Sequence, residues 1–199
     1  GVGLYRTEYL FLERKTMPDV QEQQKEYEKV FDLLDGKELI VRTLDIGGDK
    51  RVPYLPQEQE ENPFLGVRGI RFTLKHPEIL EAQMEAMLLA AKGRPFSIML
   101  PMVDTVQEVE QARAIWDKVC KKVSENGVAV NPDIRIGITI ETPAAAICVD
   151  TFIGNADFVS IGSNDLAQYV MAADRESVEL DHLLSPWQTA IMRMIQHVI

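Results

Sequence analysis

The chain has 199 residues, 46% hydrophobic and 26% charged, an ordinary balance for one sizeable globular domain. Its formal net charge of −10 argues against nucleic acid as the main partner. No apolar run approaches the ~18 residues of a membrane helix, and no charged-then-apolar leader opens the sequence, so the expectation is a cytoplasmic protein with no membrane insertion.

GVGLYR (1–6) reads as a short buried strand. Over 20–35, Val20, Tyr27, Val30, Phe31 and Leu34 fall at helical spacing, and Gly36 stops the helix. ELIVRTLD (38–45) predicts a second strand. Residues 46–65 are rich in Gly, Pro and charge and read as a long loop, a feature more often functional than incidental. A helix is predicted over 76–91, with Pro77 in its first turn, and a third strand, FSIMLP, over 96–101. Residues 105–125 read as a long amphipathic helix opened by a capping box, Thr105 with Glu108. IRIGITIE (134–141) is the fourth predicted strand, followed by a helix over 143–152; ADFVSIG (156–162) is the fifth. Asn164 and Asp165 then open a helix through Met171, and a last helix lies near 187–198.

Strands alternating with helices predict a parallel α/β architecture. The residues with chemical potential all follow strands: Arg6, Arg42 with Asp45, Pro101, Glu141, and Asn164 with Asp165. Polar groups at the C-terminal ends of strands fit a (β/α)8 TIM-type barrel, with a doubly wound sheet as the alternative. The five predicted strand–helix units fall short of eight, so the expected fold is an incomplete barrel. Two open strand edges predict self-association or reduced stability.

Glu141 ends the strand in IGITIETPAAA, where a buried carboxylate needs a partner. Asp165 follows the neighbouring strand, and adjacent strand ends lie about 5 Å apart. Two carboxylates that close repel, and a hard divalent cation such as magnesium relieves the repulsion; the alternative is that each caps a helix. Arg6 in YRTE and Arg42 in VRTLD suit a phosphate through paired hydrogen bonds, or else form the ion pairs Arg6–Glu8 and Arg42–Asp45. DIGGDK allows a backbone turn near a ligand but matches no phosphate-loop pattern. In ENPFLGVRGIR, Arg68 and Arg71 stand three apart, a spacing that puts both on one helical face; a solvated or packing role is the alternative. Cys120 and Cys148 lack metal-ligand spacing and read as reduced core residues, and none of His76, His182 and His197 stands out as a catalytic base.

GVGLYRTEYLF, VRTLDIGGDK, ENPFLGVRGIR, IMLPMV, IGITIETPAAA and FVSIGSNDLAQYVMAADR occur in that order. Together they resemble the phosphoenolpyruvate-binding barrel of the enzyme I family, the phosphoenolpyruvate–protein phosphotransferases of bacterial sugar uptake. Pyruvate phosphate dikinase and phosphoenolpyruvate synthase share a related barrel, and the GGDK turn looks like enzyme I. The resemblance implies that residues 1–199 form part of such a barrel, without its C-terminal end and without the N-terminal phosphohistidine domain. It implies Arg6 and Arg42 as phosphate ligands, Glu141 and Asp165 as magnesium ligands, and Asn164, Asp165 and Arg175 as substrate contacts, with Arg68 and Lys50 near the site. It further implies magnesium as cofactor, phosphoenolpyruvate and pyruvate as ligands, a histidine phosphocarrier protein as partner through the N-terminal domain, and a homodimer through the barrel. The family's proton-donor cysteine lies in a segment not matched here, so no catalytic residue is expected within 1–199 and turnover by these residues alone is not expected. A magnesium-dependent aldolase or lyase and a non-catalytic binding or regulatory fragment are the remaining alternatives.

Overall fold

All five predicted strands form and pair in chain order. The structure, a computed structural model, describes residues 2–34, 36–48, 50 and 52–199. Strands β1 (Val2–Arg6), β2 (Leu39–Arg42), β3 (Ser97–Leu100), β4 (Arg135–Ile140) and β5 (Val159–Ile161) make one sheet in the order β1-β2-β3-β4-β5. Every pairing is parallel. A doubly wound sheet reverses its strand order at a switch point. No reversal occurs among the described strands, so the winding is that of a barrel, five strands of the eight a closed one has.

Eight helices accompany the strands among the described residues: α1 (Tyr9–Leu12), α2 (Val20–Leu34), α3 (Ile70–Lys75), α4 (Pro77–Ala91), α5 (Val106–Glu125), α6 (Pro143–Ile147), α7 (Ser163–Met171) and α8 (Thr189–Val198). Pro77 occupies the first turn of α4, where its missing N–H costs nothing. The capping box of α5 is present, with the Glu108 carboxylate accepting from the Thr105 N–H at 2.9 Å. The predicted helix over 143–152 instead breaks at Cys148 into α6 and a 3-10 turn, Val149–Phe152. There the Thr151 hydroxyl donates to the Cys148 carbonyl at 2.7 Å and competes with helical bonding. Cys148 is exposed rather than in the core, and Cys120 is half-buried; both are free thiols.

The register explains how one strand carries both isoleucines and a buried carboxylate. Arg6, Arg42, Met99 and Gly137 stand side by side across four strands, and Thr139 stands beside Ser160. Alternate residues of a strand face opposite sides. Ile136, Ile138 and Ile140 therefore face the helices, where they join Leu39, Val41, Ile98 and Leu100 in the main core with Tyr27, Phe31, Met84, Met87, Phe96 and Trp116. Gly137, Thr139 and Glu141 share the other phase and face the barrel interior. The long segment between β2 and α3 has a small core of its own, built from Phe11, Leu44, Ile46, Val52, Leu55, Phe72 and Ile79.

Candidate functional site

The chain leaves β2 at Thr43 along a fixed path. The Thr43 N–H bonds to the Met99 carbonyl at 3.0 Å, and the Leu44 N–H to the buried Gln83 side chain of α4 at 2.9 Å. Gln83 also donates to Thr7 at 3.2 Å, and the Thr7 hydroxyl donates to the Arg42 carbonyl at 2.9 Å. One amide thus fixes the exits of β1 and β2 together, and it presents Arg42 and Asp45 at the C-terminal ends of the strands.

A cleft of about 570 Å³ opens at those ends, lined by Arg6, Arg42, Asp45, Lys50, Asn164, Asp165 and Arg175. Arg68 and Glu141 lie beneath it, 1% and 2% exposed. The eight side chains singled out as site candidates in the sequence therefore converge on one region. Arg71 does not: Arg68 precedes Gly69, whose φ is +56°, and only Arg71 lies on α3, where it pairs with Asp104 at 2.5 Å. The two arginines share no helical face.

Four carboxylates and four cations interlock at the base of the cleft. Arg42 pairs with Glu8, with Asp45 at 3.2 Å, and with Glu141 at 3.8 Å. Lys50 stands 3.4 Å from Glu8 and 3.3 Å from Asp45. Arg68 bridges Asp45 at 3.3 Å and Asp165 at 2.7 Å, and Arg175 reaches Asp165 at 3.2 Å while its guanidinium lies over the Phe64 ring at 4.9 Å. Burial pushes the Asp45 carboxyl up, but Arg68, Arg42 and Lys50 outweigh it and hold the group below its ordinary value. Of the two foreseen ion pairs, Arg42–Asp45 forms, whereas Glu8 turns to Arg42 and Lys50 rather than to Arg6. Arg6 is exposed and, among the described residues, its guanidinium has no hydrogen bond or ion pair; the same holds for the Asn164 side chain.

Glu141 is the least compensated of the carboxylates. Its Oε2 accepts the Met102 N–H at 2.7 Å, and its Oε1 has no hydrogen-bond donor among the described residues. Burial, with Asp45 and Asp165 nearby, pushes its carboxyl up to about 7 against the pull of Arg42 and the Met102 N–H. It caps no helix: the N-cap of α6 is Thr142, whose hydroxyl accepts from the Ala145 N–H. Space for Glu141 comes from Gly162, where a Cβ would overlap the Glu141 side chain. Met102 aims its N–H from a left-handed backbone, φ +59°. Gly47, at φ +108°, makes room for Arg68 in the same way. Among the described residues no three His, Cys, Asp or Glu side chains gather as a metal cluster; the side-chain oxygens lining the cleft include those of Asp45, Asp165, Asn164, Glu176 and Asp181.

Glu8, Gln83 and Met102 escaped the sequence reading. Glu8 follows Arg6 by two residues and read as its partner, Gln83 sits inside an apolar helix, and the Met102 contact is a backbone one. Asp45 carried a signal, since it closes a strand immediately before a Gly-Gly turn.

A barrel-wound sheet with its charged groups at the C-terminal strand ends defines the class, and the whole chain matches one family model. Residues 1–199 belong to the family of the PEP-utilising enzyme, PEP-binding domain. Individual relatives narrow the likeness. The chain is 46% identical over all its 199 residues to a phosphoenolpyruvate-protein phosphotransferase of Staphylococcus carnosus and 46% identical to that of Bacillus subtilis, in each case spanning 35% of the relative. It is 45% identical to that of Geobacillus stearothermophilus, spanning 34%. The chain thus covers about a third of the length of the curated relatives it matches.

Proposed function

We propose that these 199 residues bind phosphoenolpyruvate as one part of a phosphoenolpyruvate–protein phosphotransferase. That enzyme moves the phosphoryl group to a histidine of its own and then to a histidine phosphocarrier protein in sugar uptake, releasing pyruvate. The observation that carries the reading is the meeting of Arg6, Arg42, Lys50 and Arg175 with Glu141 and Asp165 around one cleft. The family and the identity to named phosphotransferases support it.

Arg6 and Arg42 grip the phosphoryl oxygens through paired N–H donors, and Asn164 and Arg175 contact the remainder of the substrate. Phosphoryl transfer asks little covalent chemistry of the protein and much positioning and charge stabilisation. Magnesium fits the donors present, since it accepts one or two protein carboxylates and fills the other positions with substrate oxygens and water. Glu141 and Asp165 are its proposed ligands, and the unbonded Oε1 and raised carboxyl of Glu141 are what an anion waiting for a cation displays. When bound, the ion supplies positive charge that offsets both carboxylates and the phosphoenolpyruvate oxygens. No histidine or cysteine among the described residues lines the cleft, so the phosphoryl acceptor and the proton donor to enolpyruvate are assigned to other parts of the enzyme.

The setting proposed is the cytoplasm; no helix of the described chain is long and apolar enough to cross a membrane. A homodimer through the barrel is the proposed assembly.

Calorimetric titration with phosphoenolpyruvate tests the reading. Wild-type protein is expected to bind it, and to bind it more tightly when magnesium is added. Glu141→Gln is expected to lose the magnesium effect. Failure of the wild type to bind phosphoenolpyruvate at millimolar concentration, with or without the metal, overturns the assignment.

A further inference from the structure

We infer that Asp45 is a positioning residue whose buried carboxylate sets the reach and angle of Arg42, which grips the phosphoryl group, and of two further cations beside it, Arg68 and Lys50. The inference rests on the phosphoenolpyruvate-binding function proposed above.

Asp45 is 2% exposed and touches Arg42 at 3.2 Å, Arg68 at 3.3 Å and Lys50 at 3.3 Å. Every other carboxylate in the cluster pairs with at most two of these cations: Glu8 with Arg42 and Lys50, Asp165 with Arg68, Glu141 with Arg42. Asp45 alone joins all three, which come from the end of β2, the Gly-Gly turn and the segment before α3. The Nε atoms of Arg42 and Arg68 are buried and have no acceptor, so each fork is oriented by what its terminal nitrogens meet. Asp45 is itself held on a fixed backbone, between the Gln83 bond to the Leu44 N–H and the 3.0 Å bond from the Gly69 N–H to the Ile46 carbonyl.

An anion beneath an anion-binding cleft opposes its ligand by simple Coulomb repulsion. Charge alone therefore gives no reason for Asp45 to be there. Geometry does, because three cations gathered at one end of the sheet repel one another, and a carboxylate shared among them offsets that repulsion while fixing their directions, that of the phosphate ligand Arg42 included. The two effects have opposite signs in a variant. Asp45→Asn removes the repulsion and keeps the shape; Asp45→Glu keeps the charge and moves the carboxylate by one methylene.

Titration calorimetry of wild type, Asp45→Asn and Asp45→Glu with phosphoenolpyruvate and with pyruvate separates them, with circular dichroism reporting the fold. Both variants are expected to bind phosphoenolpyruvate at least tenfold more weakly, with pyruvate affinity within about twofold of wild type. Asparagine binding phosphoenolpyruvate as tightly as wild type or more tightly overturns the inference, as does an equal loss for both ligands. If Asp45→Asn does not fold, the glutamate variant decides, and wild-type affinity in it overturns the inference. Wild-type protein that binds no phosphoenolpyruvate instead overturns the proposed function, and this inference with it.

Discussion

Ile138 and Thr139 are neighbours on β4, yet they belong to two differently built regions. The side of the sheet toward α2, α4 and α5 is apolar, and its members are interchangeable in kind, being Ile, Leu, Val, Met and Phe. The interior side carries Gly137, Thr139 and Glu141 and ends in paired charges whose partners are individually specified. Burial stabilises the first region in proportion to area and volume. In the second, each charge is tolerable only because particular others oppose it. The same backbone thus supports a region that forgives changes of identity at constant volume and one that forgives changes of volume only at constant charge.

The sharpest way to break that contrast is Arg42→Ala. It leaves Glu8 without its closest cation and Asp45 with two cations instead of three. Removing one member of a buried ion pair costs of the order of 3–5 kcal/mol, and chemical denaturation is expected to show it together with lost phosphoenolpyruvate binding. A variant with wild-type stability would mean that the interior charges are less interdependent than their geometry states. Ile138→Ala addresses the other side. Its side chain is fully buried, so a loss of about 2–5 kcal/mol is expected, while protein that remains folded keeps its ligand affinity. A selective loss of affinity at unchanged stability would erase the distinction between the two sides.

The mildest perturbation needs only buffer. The Glu141 carboxyl sits at about 7 in the folded chain against an ordinary 4.5, so between those values the folded state holds more protons than the unfolded one. Stability of the ligand-free protein is therefore expected to fall as pH rises from about 4.5 through about 7, by up to ~3 kcal/mol. Asp45 works in the opposite sense, since its lowered carboxyl adds stability that is lost only on further acidification. Urea melts between about pH 5 and pH 8 read the slope, and Glu141→Gln is expected to flatten it. An unchanged slope in that variant would move the titrating group elsewhere.

Both regions were legible in the sequence to different depths. The strands could be read because parallel strands covered on both faces appear as short apolar runs, and β2, β3 and β4 are such runs. The helix α5 could be read because its cap and its periodicity agree. The short helices α1 and α3 could not, since four and six residues are too few to display a period, and Gly66 and Gly69 made the approach to α3 look like loop. The gathering of charges at the strand ends followed from the architecture alone. Their pairing did not, because Arg42 meets Glu8 across 34 positions and Arg68 meets Asp165 across 97. Nothing local distinguishes Arg42–Glu8 from the Arg6–Glu8 pair that proximity suggests, and the choice is made by the sheet, which lays β1 beside β2.

The Arg68 bridge carries a further consequence. It fastens the stretch leading into α3 to the first turn of α7, and the polypeptide between them contains three strands, β3, β4 and β5, that must already be laid down. Contacts so distant along the chain bear a large loop-closure cost and form late. Competence to hold a ligand is then among the last properties the chain acquires as it folds, and an early collapsed form with intact helices would be blind to its substrate.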